Sequence, residues 1–176
     1  SNGRIYRIAA NGTKSADDID FSKLSTDQLL ELHRHPSQWY VRHARQELVR
    51  RCMPGSPQRN SVIAAIEPDL HEAAFQGAVE STALEAMWSM YALNTIDETI
   101  AMQLLDSPYP AVRSWTLRWL GDHGEVSPDM AHRLDEFAEQ ESVVEVRQQL
   151  ACTAARLPAH QAVPMINANI NRDDHN

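Results

Sequence analysis

Cysteine is nearly absent: Cys52 and Cys152 are the only two in 176 residues, and they stand 100 positions apart. No Cys-x-x-Cys and no Cys-x-x-Cys-His occurs, which excludes a disulfide framework, a cysteine zinc site and covalent haem attachment. The expectation is two free thiols, with Cys152 in a core. Glycine is scarce as well, at 6 residues, and no glycine-rich phosphate loop is present. No run approaches the roughly 18 to 20 apolar residues that a membrane-spanning helix needs. Basic residues are outnumbered, 16 Lys and Arg against 24 Asp and Glu. No signal peptide leads the chain, and Ser1-Asn2 reads as a cloning remnant, so compartment is not fixed by the amino terminus.

The charge that is present is segregated. Residues 1–60 hold 10 Lys and Arg against 6 Asp and Glu, whereas residues 61–145 hold 3 against 16. An acidic middle argues against wrapping a nucleic-acid backbone, which needs a continuous basic face. It suits a basic partner or a solvated face.

A recurring pattern organises the rest. A short polar corner followed by Val-Arg occurs at His35-Pro36-Ser37-Gln38-Trp39-Tyr40-Val41-Arg42, at Asp106-Ser107-Pro108-Tyr109-Pro110-Ala111-Val112-Arg113 and at Glu141-Ser142-Val143-Val144-Glu145-Val146-Arg147. A degenerate copy lies at Glu80-Ser81-Thr82-Ala83-Leu84-Glu85. From Val41 to Leu84, Val112 and Val146 the steps are 43, 28 and 34 residues, the interval of stacked helical repeats.

Local signals set the helix boundaries. Ser25-Thr26-Asp27-Gln28 is a capping box, opening a helix to about His33 that Pro36 ends. A second helix from Ser37 carries Trp39, Val41, Ala44, Leu48 and Val49, and Cys52 to Pro57 breaks it. The stretch 59–79 reads as helix interrupted near Pro68. Apolar stripes follow at Leu84, Met87, Trp88, Tyr91 and Ala92; at Ile96, Ile100, Leu104 and Leu105; and at Val112, Trp115, Thr116, Trp119 and Leu120, closed by Gly121. Ser127-Pro128 starts a helix with Met130, Leu134, Phe137 and Ala138, paired with Val146, Leu150, Thr153 and Ala154. A last helix, Ala159 to Ile170, carries Val163 and Ile166. Residues 3–8 alternate as a short strand, and residues 11–20 form a polar linker.

The predicted fold is therefore all-α: an α-solenoid of antiparallel helix pairs over 23–170, with an extended segment and linker over 1–22 from an upstream domain and a disordered tail at 171–176. Short proline-containing corners with Val-Arg early in each second helix resemble the HEAT repeat over residues 24–157. Gly3-Arg4-Ile5-Tyr6-Arg7-Ile8, then Leu24 to Leu32, His35-Pro36 and Trp39-Tyr40-Val41-Arg42, resemble a junction in the planctomycete-type membrane-bound dehydrogenases. Leu84 to Leu93 and Ala111 to Trp115 resemble that family's helical region.

That resemblance implies a sugar-dehydrogenase-like propeller upstream and a c-type cytochrome downstream. This segment would be a non-catalytic scaffold positioning the two for electron transfer, in a periplasmic or membrane-associated protein. Neither a propeller nor a haem motif lies in the chain, so no catalytic, cofactor-binding or metal residue is carried over. The alternative is a free-standing adaptor binding a partner protein.

Arg42, Arg113 and Arg147 occupy equivalent positions and are expected to form a structural ladder, each pairing with an acid or corner carbonyl of an adjacent repeat, with acids available around Asp106, Asp122 and Glu145. Trp39, Tyr40, Arg42 and Arg45 form the candidate contact patch, in which Arg45 is expected to be replaceable at little cost. Trp88, Trp115 and Trp119 are read as core. Arg34, Arg42, Arg45, Arg50, Arg51 and Arg59 read as a solvated basic face. His33, His35 and His43 lack acid or cysteine ligands at metal spacing. No nucleophile, base and acid constellation appears. Partners are thus expected among other domains of the same polypeptide or a separate protein, with no nucleic acid and no insertion into membrane by this segment.

Overall fold

The structure, a computed structural model, describes residue 12 and residues 19–77 and 79–171. The strand expected at 3–8 and the tail beyond Asn171 lie outside the described residues. Among those described there are nine α-helices and no strand: α1 Thr26–Glu31, α2 Gln38–Arg51, α3 Arg59–Gln76, α4 Glu80–Leu93, α5 Glu98–Leu104, α6 Pro110–Asp122, α7 Pro128–Gln140, α8 Val144–Ala154 and α9 Ala159–Asn171.

Several boundaries are set by side chains close in sequence. The Ser25 hydroxyl accepts the Gln28 N–H at 3.2 Å while the Ser25 N–H donates to Gln28 Oε1 at 2.8 Å, a reciprocal cap on α1. Asp97 and Ser127 cap α5 and α7 through the N–H groups of Ile100 and Met130. Asn94 closes α4 in the left-handed region at φ 58°, where an asparagine is tolerated.

Packing runs in two series. α2 touches α4, α4 touches α6 and α6 touches α8, while α1 touches α3, α5 touches α7 and α7 touches α9. The buried interior divides into a part centred on Leu29, Leu48, Ile66, Met87 and Met90, and a part centred on Leu105, Leu117, Met130, Leu134, Leu150 and Met165. Val41, Val112 and Val146, the valines of the repeated motif, are each fully buried.

On four helices the structure departs from the sequence expectation. α3 is continuous through Pro68, because Pro68 and Ala64, whose carbonyl loses its donor, both lie on the exposed side where water serves instead. α6 runs past Gly121, which is buried where α6 meets α8; a Cβ there would lie 3.2 Å from Thr153 Cγ2 and 3.3 Å from Arg156 Cδ. The inward stripe of α4 is Ala83, Ala86, Met87, Met90 and Leu93, leaving Tyr91 and Ala92 exposed. On α9, Ala162 and Met165 turn inward, whereas Val163, Ile166 and Ile170 are exposed.

Cys52 is buried and Cys152 is exposed, the reverse of the expected core thiol; both are free. On α8 the inward residues are Val146, Leu150, Thr153 and Ala154, and position 152 falls outside that arc. Buried polar groups tie loops to helices. The Gln161 side chain donates to the Val126 carbonyl at 2.7 Å and accepts its N–H at 3.3 Å, fixing the α6–α7 connection against α9.

Candidate interaction surface

The segment before α1 carries an aromatic residue onto α2. Asp20 caps a 3-10 turn at Phe21–Lys23 by accepting the Ser22 N–H at 3.1 Å. Arg51, near the end of α2, donates to the Leu24 carbonyl at 2.7 Å and holds this turn in place. Phe21 then meets the Trp39 ring edge-on at 5.5 Å between centroids and stacks on His43 at 5.3 Å. Trp39 also contacts Tyr40 at 4.9 Å and His43 at 4.2 Å, and Tyr40 meets His35 at 4.3 Å.

Five rings thus cluster at the start of α2, and Trp39 remains 47% exposed among them. Sequence reasoning missed Phe21. The cap at Asp20 was the available signal, but it lay in a stretch read as linker.

The four patch residues do not share one surface. Trp39 and Tyr40 belong to the ring cluster, and Arg42 is exposed with no hydrogen bond or ion pair among the described residues. Arg45 lies about 120° around the helix from Trp39 at 100° per residue. It donates to Glu85 Oε2 at 2.7 Å, with side-chain exposures of 18% and 5%, and its guanidinium lies 5.7 Å from the centre of the Trp88 ring.

The arginine series is therefore carried by Arg45, Arg113 and Arg147. Arg113 forks onto Glu141 at 2.7 and 3.0 Å and donates to the Ser107 corner carbonyl at 2.8 Å. Arg147 donates to the side chain and carbonyl of Asn169 at 2.8 and 2.7 Å. Two of the three acids expected to serve the ladder hold other arginines instead: Asp106 pairs with Arg133 and Asp122 with Arg156. Glu141, the first residue of the third corner motif, was the missed acceptor.

Of the basic segment, Arg34, Arg42 and Arg50 are exposed, whereas Arg45, Arg51 and Arg59 are half-buried. Arg50 and Arg51 both hold Glu47, whose carboxyl the Arg50 hydrogen bond keeps below its usual range. Arg59 donates to the Cys52 carbonyl. Glu141 is likewise held low: burial raises it, and the Arg113 fork with the Val143 and Ser142 N–H groups outweighs that.

Among the three histidines, His33 is buried, its Nδ1 3.1 Å from the Leu29 carbonyl and its Nε2 2.8 Å from Ser89 Oγ. His35 Nδ1 accepts the Ser37 N–H at 3.0 Å, and His43 Nδ1 lies 2.8 Å from the Trp39 carbonyl. Burial lowers the His33 pKa, and nearby Arg45 adds to this.

The folded chain thus refuses a proton that the unfolded chain accepts near the ordinary value of 6.5. This contribution to stability is complete above about pH 6.5 and is lost as pH falls below it. Melting temperature should drop between about pH 6.5 and pH 5 in the native protein, and the slope should flatten in His33→Gln. Parallel slopes for the two proteins in that window would show that His33 is not the group responsible.

Taken together these elements define an all-helical protein in which, among the described residues, no three His, Cys, Asp or Glu side chains are placed to hold a metal ion. Comparison with family models, with curated proteins and with solved structures finds no match.

Proposed function

We propose that the chain is a non-catalytic helical-repeat docking module, a HEAT-like α-solenoid of antiparallel helix pairs that engages another protein domain through the ring cluster at the start of α2. The observation that carries this reading is Trp39, held 47% exposed among Phe21, Tyr40 and His43. A tryptophan fixed by neighbouring rings offers apolar area with little ordering cost, the property of binding hot spots. The serial packing of α2, α4, α6 and α8 supports the solenoid reading.

The setting proposed for the module is a multidomain membrane-associated dehydrogenase, between a catalytic propeller and a cytochrome domain. Its support is the sequence resemblance of residues 3–8 and 24–42. No helix among the described residues is long and apolar enough to cross a membrane. The surface around Phe21 and Trp39 is then where an upstream domain rests.

In the polypeptide with its flanking domains, Trp39→Ala combined with Arg42→Ala should speed protease cleavage within residues 9–22 by about tenfold, the equivalent of roughly 1.4 kcal/mol of lost docking. The helical part should stay folded with a modestly lower melt, since Trp39 gives up its contacts with Phe21, Tyr40 and His43 while Arg42 is exposed. Unchanged cleavage with intact helices would defeat the docking role.

A further inference from the structure

We propose that the cavity between α4, α5 and α6 receives one lysine or arginine side chain of a partner protein, at a site separate from the Trp39 cluster. The cavity measures about 140 Å³. Cofactor and drug-sized sites run to about 300–1,000 Å³, so a single side chain fits where a cofactor does not.

Its wall is a stacked pair. The Tyr91 and Trp119 rings lie 4.3 Å apart and 8° from parallel, one 39% exposed and the other 6%. Leu120 and Val126 line it from the buried interior. Asp97, Glu98 and Glu125 line it as well.

His123 also lines the cavity, its Nδ1 3.0 Å from the Trp119 carbonyl, but no lysine or arginine does, so the three carboxylates have no permanent cation beside them. Glu47, Glu85 and Glu141, the fully buried acids among the described residues, each hold an arginine. Asp97, Glu98 and Glu125 have no ion pair among the described residues. Asp97 gives one oxygen to the Ile100 N–H at 2.8 Å, and Glu98 gives one to the Ser127 N–H at 2.9 Å. Each keeps its second oxygen, and Glu125 is exposed.

An apolar stem with a cationic head matches this arrangement. The stem would lie against Leu120 and Val126, and the head would meet aromatic faces and carboxylates together. A neutral apolar ligand would leave the carboxylates unused, and a bare metal ion would leave the apolar lining unused.

The test uses Nα-acetyl-lysine amide and Nα-acetyl-arginine amide as probes, with Nα-acetyl-norleucine amide as the uncharged control, followed by amide NMR shifts. At least one basic probe should shift residues around Tyr91, Glu98 and Val126 saturably, with a Kd on the order of 1 mM for a ligand of this size. Tyr91→Ala and Glu125→Gln should each weaken it at least about fivefold. Glu72→Gln, the same charge change on exposed α3 away from the cavity, should leave it within about twofold.

Equal binding of the norleucine probe overturns the proposal, because the cavity would then be only an apolar hole. Equal weakening by Glu72→Gln overturns it as unspecific attraction, and so does the absence of saturable shifts at the cavity. If Tyr91→Ala does not fold, Glu125→Gln and the norleucine control still decide. Failure of this site leaves the Trp39 docking reading intact, since that is scored by cleavage at residues 9–22.

Discussion

Arg113→Ala should destabilise the protein by about 3–5 kcal/mol, the cost of stranding a buried carboxylate rather than the net worth of its ion pair. Glu141 keeps only 3% of its side chain exposed, and Arg113 is the one cation paired with it, at 2.7 and 3.0 Å, beside the Val143 N–H at 2.8 Å. At this chain length each kcal/mol moves the melting temperature by about 2–4 °C, so a fall of roughly 6–20 °C is expected. Arg113→Lys should recover little, because an ammonium cannot reproduce the fork or reach the Ser107 carbonyl with the same plane.

Arg45→Ala should also be costly, nearer the low end of that range, since Glu85 is 5% exposed and Arg45 is itself partly open. This reverses the mild effect expected from sequence. Arg42→Ala should change stability by no more than about 0.5 kcal/mol. A thermal melt in which Arg42→Ala and Arg113→Ala fall together would mean that the arginine series has no role in coupling neighbouring helices.

Val112→Asp should abolish cooperative folding. The Val112 side chain is fully buried in the interior shared by α4 and α6. A carboxylate placed there must either stay charged without a partner or take up a proton, and both cost several kcal/mol. A domain of this size has only about 5–15 kcal/mol of stability to lose. Val112→Ala removes two methyl groups without adding charge and should cost only about 2–3 kcal/mol, leaving a cooperative transition. Circular dichroism melts check both, and a wild-type-like transition for Val112→Asp would place the repeat register elsewhere.

Much of the fold was legible because its signals are local. The Ser25–Gln28 box, the Ser127 cap before Pro128 and the proline-bearing corners each act within four residues, so the sequence names both partners. The Val-Arg repeat likewise located the three buried valines, since a motif at fixed helical phase carries its own register.

The candidate site was less legible. Trp39 at a corner was readable as exposed, but Phe21 joins it only through the folded turn held by Arg51.

The all-helical class, most helix boundaries and the burial of Val41, Val112 and Val146 follow from patterns within single helices and corners. Tertiary structure alone decided which arginine of α2 pairs across helices. Arg42 matches the motif, yet Arg45 meets Glu85, a residue 40 positions away. It also decided the face of α4, where Ala83, Ala86 and Met90 are buried and Tyr91 is left at a cavity beside Trp119. The reason is common to both. α4 is apolar around most of its circumference, so its periodicity selects no single face, and a charge pair between helices depends on the angle and offset at which they pack.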